Sequence, residues 1–246
     1  YFGIGCSYGS HDFVLTNVEI HHFTLYGFDA TGNGSDCYNG EFVNCSAHSC
    51  NDDTQNVDGF ALGHGSQSNF SFTNCTVYDV YDGFDMSAND VTIDRCMGYD
   101  CVNGALKLWA DNITVKNSLF WDNYISNVQV CWRGSPKSVT LQNCYLGQSS
   151  TYNIWISDSR DELNMYGCIL AGGDNNGLCF EDNSELNYNG DYNIFHNDND
   201  YRVINYGFSN EFSMDEMNNG DWASFSGEDE HSIVSYNPAD LFVDYA

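Results

Sequence analysis

Phe42-Val43-Asn44-Cys45 returns as Phe72-Thr73-Asn74-Cys75, then as Ile93-Asp94-Arg95-Cys96, Leu141-Gln142-Asn143-Cys144 and Met165-Tyr166-Gly167-Cys168. Val14-Leu15-Thr16-Asn17-Val18 and Val115-Lys116-Asn117-Ser118 fit the same frame, and Tyr188-Asn189-Gly190-Asp191 reads as an eighth, weaker copy. The aligned positions Asn17, Asn44, Asn74, Arg95, Asn117, Asn143, Gly167 and Gly190 fall 21 to 30 residues apart. Each copy alternates apolar and polar residues, turns, and alternates again. Alternation with period two is the mark of a strand. A repeat of this length, with no helical stretch inside it, is the mark of one coil of a parallel β-helix. The fold class is therefore all-β, a parallel β-helix. About eight coils stacked at roughly 4.8 Å give a rod on the order of 40 Å long.

This architecture accounts for the composition. Asn recurs at one corner because its amide can hydrogen-bond its copy in the next coil. Cys45, Cys75, Cys96, Cys144 and Cys168 follow in one column, where a small apolar side chain fits a crowded interior, and they read as buried thiols. Neighbours such as Cys75 and Cys96 remain candidates for a disulfide. Cys50 and Cys101 share another column but lie two coils apart, too far for a bond. Residues 1–246 form a single domain, in which 197–246 read as an irregular acidic cap and tail. Residues 209–231 are expected as a loop or short helix over the rod's end, blunting an exposed strand edge. Asp240-Leu241-Phe242-Val243 is expected to pack back onto the last coil.

The chain carries 35 acids against 7 Lys plus Arg, a net charge of −28. Such a surface repels phosphate backbones and anionic lipid, so neither nucleic acid nor a membrane is an expected partner. No stretch of apolar residues is long enough to span a bilayer. No signal peptide is visible, and the start at Tyr1-Phe2-Gly3 reads as a trimmed precursor. A polyanionic substrate would have to be met by bound cations or by the few basic residues.

Asp58-Gly59-Phe60, Asp82-Gly83-Phe84-Asp85 and Gly104-Ala105-Leu106-Lys107-Leu108 are one phrase on successive coils. Phe84 and Met86 belong inside, so Asp85 points outward. Leu106 and Leu108 belong inside, so Lys107 points outward, one coil above Asp85. Asp58 and Asp82 stand where the chain leaves its turn and enters the strand. Three carboxylates within two coils offer the hard oxygens that Ca²⁺ takes. A lysine beside a bound cation would have a lowered pKa and could serve as a general base. Asp in turns also has a purely structural use, because its side chain makes Asx-turns. The seven histidines show no metal spacing, since neighbours such as His21 and His22 face opposite ways along a strand.

The phrase resembles the family 9 polysaccharide lyases, calcium-dependent pectate lyases built as right-handed parallel β-helices. The resemblance covers residues 56–110 by motif and extends to about 195 by coil pattern. It implies Asp58, Asp82 and Asp85 as Ca²⁺ ligands and Lys107 as the base that removes the C5 proton of galacturonate. It further implies a secreted monomer with polygalacturonate as substrate. The family phrase carries one more acid, where this chain has Tyr81; Asp79 and Asp53 are the candidate replacements. It also has one residue fewer before the lysine. Arg133 is a candidate clamp for a substrate carboxylate, and Tyr81 and Trp109 are candidate sugar-stacking residues. Rival readings on the same rod are a glycoside hydrolase using Asp82 and Asp85, another uronate lyase or epimerase, and a non-catalytic carbohydrate-binding β-helix.

Overall fold

The computed structural model describes residues 2–6, 9–30, 37–50, 56–63, 67–130, 137–158, 161–172, 176–181, 186–197 and 202–235. The chain winds through three sheets in turn, contributing one strand to each per coil. Sheet A begins with Phe2–Gly5, Tyr26–Ala30, Asp58–Leu62, Asp82–Met86 and Gly104–Leu108, and runs on through Ser126–Val130, Tyr152–Ile156, Asn176–Phe180 and Ile204–Tyr206. Sheet B has eight strands, from His11–Thr16 to Tyr188–Asp191, which enclose about seven full turns. Sheet C holds the short third strands, from Glu19–His21 to Ile194–His196, and ends on Ile233–Val234. Among the described residues every neighbouring pair is parallel except Ile204–Tyr206 with Asn210–Phe212, which is antiparallel.

The inward columns explain why the coils stack. Phe28, Phe60, Phe84, Leu106, Val128, Ile154, Leu178 and Ile204 are in register and buried. Within this core the Phe60 and Phe84 rings stack with centroids 5.2 Å apart, and Phe42 and Phe72 with centroids 4.5 Å apart. Each fully buried ring of this size contributes about 1.5–3 kcal/mol of transfer free energy. The glycine of each Asp-Gly pair is a packing requirement. A Cβ at Gly83 would run into the backbone oxygen of Ala105 and the Val77 side chain, and one at Gly59 into the Gly83 oxygen and Val77.

The corner between sheets B and C is held in the left-handed region at Asn17, Asn44, Asn74, Arg95, Asn117, Asn143 and Gly167. Asn44 donates to Asn17 Oδ1 at 3.1 Å and Asn74 to Asn44 Oδ1 at 3.2 Å, so the expected amide ladder forms. The eighth position is not Gly190. Gly167 N–H donates to the Asp191 carbonyl, and Tyr192, with φ 58, takes the corner. Gly190 instead pairs with Met165 inside the strand, where any Cβ would collide with the Tyr188 ring. A glycine that looked like a turn residue is there to make room. A second polar ladder was not foreseen: Asn39 donates to Asp12, Asn69 to Asn39, and Asn112 to Asp90, all at left-handed positions. The described cysteines form no disulfide; Cys75 N–H donates to Cys96 Sγ at 3.4 Å instead.

Past the last coils, helices Met214–Asn218 and Asp221–Ser226 cover the end of the rod. Ser213 and Glu216 form a capping box that satisfies the first helix's amino terminus. Asp229 ties the cap down. It accepts from Tyr188 Oη at 2.7 Å, Trp222 Nε1 at 2.9 Å, Asn193 Nδ2 at 3.0 Å and Ser232 Oγ. Replacing Asp229 by Ala strands several buried donors at once. The expected result is a loss of about 3–5 kcal/mol, the cost of breaking a buried polar network around one charge. Thermal melting followed by Trp222 fluorescence measures it. The tail at 240–243 lies outside the described residues.

Candidate metal and proton-transfer site

Sheet A sets the register of the site. Asp58 pairs with Asp82, Asp82 with Gly104, Asp85 with Ala61 below and with Lys107 above. The backbone thus brings together the four residues singled out in the sequence, with Asp85 directly under Lys107. One oxygen from each of Asp58, Asp82 and Asp85 lies within 4.8 Å of the others, and no other such group of His, Cys, Asp or Glu occurs among the described residues. Lys107 Nζ is 2.7 Å from Asp82 Oδ2 and 3.7 Å from Asp85 Oδ2.

The donor set fits a hard cation. Asp58 is 2 % exposed and Asp82 0 %, so two carboxylates are withdrawn from water next to a third. Asp58 Oδ1 is buried and has no hydrogen-bond partner among the described residues. Burial, then the charges of Asp85 and Asp82, push the Asp58 pKa well up, against the pull of Lys107. Burial also raises Asp82, although Lys107 and Asn103 counteract it. A buried carboxylate with an orphan oxygen and a raised pKa is satisfied by a proton or by a metal ion. Carboxylate oxygens suit Ca²⁺, which tolerates irregular coordination completed by carbonyls and water.

The expectation of a lowered Lys107 pKa is not met by these residues alone. Burial works to lower it, but the charges of Asp82 and Asp85, the Asp82 hydrogen bond and Asp58 outweigh burial, and the net shift is upward. The carboxylates that would hold a cation hold the ammonium in its place.

Three supporting polar residues were missed by sequence reasoning. Asn103 Nδ2 donates to Asp82 Oδ1 at 2.6 Å, and Gln129 Nε2 donates to Asn103 Oδ1 at 3.2 Å. Gln129 sits in register above Lys107. Asn56 bridges the other side, accepting from Lys107 at 3.4 Å and donating to Asp58 at 3.4 Å. The signal for Gln129 was its register with Lys107, visible once the coil at Ser126–Val130 is aligned. With its Oδ1 fixed by Asn103, Asp82 is left to present Oδ2 to the site. Asn103→Ala is expected to weaken Ca²⁺ binding about 10–100-fold, the usual cost of losing a group that orients a ligand. Isothermal titration of the full chain measures this.

The remaining candidates are dispersed. Trp109 faces Lys107, with Nζ 5.1 Å from its ring centroid, a cation–π contact. Tyr81 is half-buried and packs against the core beside Asp82. Asp79 lies in a left-handed corner bonded to Asp100 and Cys50 and is not part of the carboxylate group. Asp53 and Arg133 lie outside the described residues.

A family profile described as a right handed beta helix region matches residues 3–135 and 64–218. The chain belongs to the right-handed β-helix family. That family includes many carbohydrate-active enzymes. None of the curated proteins compared with this β-helix matches it. The two overlapping matches together extend from the first strand to the first cap helix and include the strands of the site.

Proposed function

We propose that this β-helix is a secreted, monomeric polysaccharide lyase that cleaves polygalacturonate by Ca²⁺-assisted β-elimination. The observation that supports the reading is the convergence of Asp58, Asp82 and Asp85 within 4.8 Å, with Lys107 Nζ against Asp82. Ca²⁺ held by the three carboxylates would engage the carboxylate of a uronate and draw electron density from it, which acidifies the hydrogen on C5. A cation held by Asp82 and Asp85 would take from Lys107 its two ion-pair partners. Burial then dominates and favours the neutral amine. Neutral Nζ takes the C5 proton, the C5–H electron pair forms the C4=C5 double bond, the C4–O bond breaks with its pair going to the glycosidic oxygen, and that oxygen takes a proton from water. The products are an unsaturated sugar and a new chain end. Asn103 and Gln129 hold Asp82 in place, and Trp109 keeps Lys107 on the outer face of the strand.

Burial weighs against the glycoside hydrolase reading of Asp82 and Asp85, because Asp82 is fully buried and paired with Lys107 and is too enclosed to flank a scissile bond. A non-catalytic binding module would explain the carboxylates but uses Lys107 only as the ion-pair partner of Asp82. The test is ultraviolet absorbance of the conjugated double bond when purified protein meets polygalacturonate. Signal that disappears with a chelator and returns with Ca²⁺ supports the lyase. Reducing ends without that absorbance indicate a hydrolase. Ca²⁺-dependent melting without turnover on any uronate leaves the binding module.

A further inference from the structure

A second cluster of possible ligands lies on sheet C, made of nitrogen rather than oxygen. His21 and His22 were expected to face opposite ways, as neighbours on a strand do. They do not: His21 Nδ1 and His22 Nδ1 are 2.6 Å apart, and both residues are exposed. The cause is the backbone of His22, whose φ is 57. A left-handed residue at the end of a strand breaks the alternation and lays its side chain beside that of the residue before it.

The same device recurs along the rod. At His11-Asp12 the imidazole is 2.8 Å from the carboxylate, and Asp12 has φ 54. At His48-Ser49, one coil above the pair, the imidazole is 3.0 Å from the hydroxyl, and Ser49 has φ 54. At Asp94-Arg95 the ions are 3.3 Å apart, and Arg95 has φ 55. The convergence of His21 and His22 is therefore built into the coil geometry, and only here are both partners imidazoles.

The setting holds the pair. The His21 ring stacks on His48, with centroids 5.7 Å apart and planes 20° from parallel. His48 stacks on Tyr78 with centroids 4.5 Å apart, and its Nε2 is 2.9 Å from Glu19 Oε1. His21 is thus one end of a packed column. Two imidazole nitrogens at this separation share one proton in a hydrogen bond, and a parting to about 3 Å by rotation of the exposed rings lets both reach one metal ion.

We infer that His21 and His22 form a bidentate site for a borderline divalent ion, Zn²⁺ or Cu²⁺, completed by water. Neutral imidazole nitrogens select such ions, whereas the carboxylate group on sheet A selects hard ones. The two sites are separate in chemistry and in sheet, and this inference stands independently of the lyase reading.

The experiment is calorimetric titration of the full chain with Zn²⁺ alone. The comparison set is wild type, His21→Ala, His22→Asn and Asp85→Asn. Asn is chosen at 22 because it tolerates the left-handed backbone, and circular dichroism confirms that each variant is folded. The expected result is one Zn²⁺ equivalent in the wild type. Affinity falls by at least about tenfold in either histidine variant, as one of two nitrogen ligands is lost, and is unchanged in Asp85→Asn. The site is disproved if Zn²⁺ binds all four proteins equally, if only Asp85→Asn loses it, or if the wild type binds none at millimolar Zn²⁺. Cu²⁺ in the same set, followed by electron paramagnetic resonance, is expected to show nitrogen coupling that both histidine variants reduce.

Discussion

Lys107→Ala is expected to abolish turnover of polygalacturonate while making the protein bind Ca²⁺ more tightly. The two effects have opposite signs because Lys107 has two relations to the carboxylates. As the proposed base that takes the C5 proton it would be worth about 10²–10⁴ in rate, the range for a positioned general base. As an ammonium 2.7 Å from Asp82 and 3.7 Å from Asp85 it competes with any cation for the same oxygens. Removing a unit charge a few ångström away favours the cation by on the order of 1–4 kcal/mol, so affinity is expected to rise about tenfold or more. Without Ca²⁺ the variant melts lower. Asp82, with its side chain fully buried, loses its ion-pair partner, and breaking a buried pair on one side costs about 3–5 kcal/mol. Calorimetry, the ultraviolet assay and melting curves with chelator and with Ca²⁺ read the three effects separately. A variant that turns over substrate at the wild-type rate removes Lys107 from the mechanism.

Much of this was legible in the chain. Period-two alternation fixed the inward columns, and with them the register: Asp85 under Lys107, and Asp58 under Asp82. Those pairings follow from chain length and hydrophobicity, which a sequence displays. The misplacement at Gly190 shows where the reading stops. A glycine can mark a corner or a space for a neighbour's ring, and only the position of Tyr188 tells which. The orientation of His22 stayed hidden for a related reason: alternation cannot foresee a left-handed residue that is not Asn, Asp or Gly. The charge state of Lys107 was beyond reach as well. It depends on burial set against three neighbouring acids, a balance set by distances. Asn103 and Gln129 escaped notice because amides are common in this chain, and only the chain of contacts from Gln129 to Asn103 and from Asn103 to Asp82 distinguishes them.

Asp58 supplies the second large effect, in stability as a function of pH. Its pKa is raised well above the usual carboxylate value by burial and by Asp85 and Asp82. In the unfolded chain it returns to about 3.9. The folded state therefore binds the proton more tightly than the unfolded state. The stability contributed by protonated Asp58 is fully present below the unfolded pKa and is lost as pH rises through the folded one. In chelator, the melting temperature is expected to fall as pH is raised through the raised pKa of Asp58 toward neutrality. Ca²⁺ is expected to restore it at neutral pH, since a bound cation compensates the charge that the proton otherwise removes. General repulsion in a chain of net charge −28 has the same sign, so the decisive comparison is Asp58→Asn. An amide of nearly the same shape carries no charge at any pH. In chelator at neutral pH the variant is expected to be more stable than wild type by about 1–3 kcal/mol, the order of an uncompensated buried polar group. That is about 2–4 °C in melting temperature per kcal/mol for a chain of this size. The variant also flattens the pH dependence and reduces the gain in stability from Ca²⁺. Equal pH profiles for the two proteins in chelator would mean that Asp58 is not the group being titrated, and that the loss of stability on raising the pH lies in the diffuse charge of the rod.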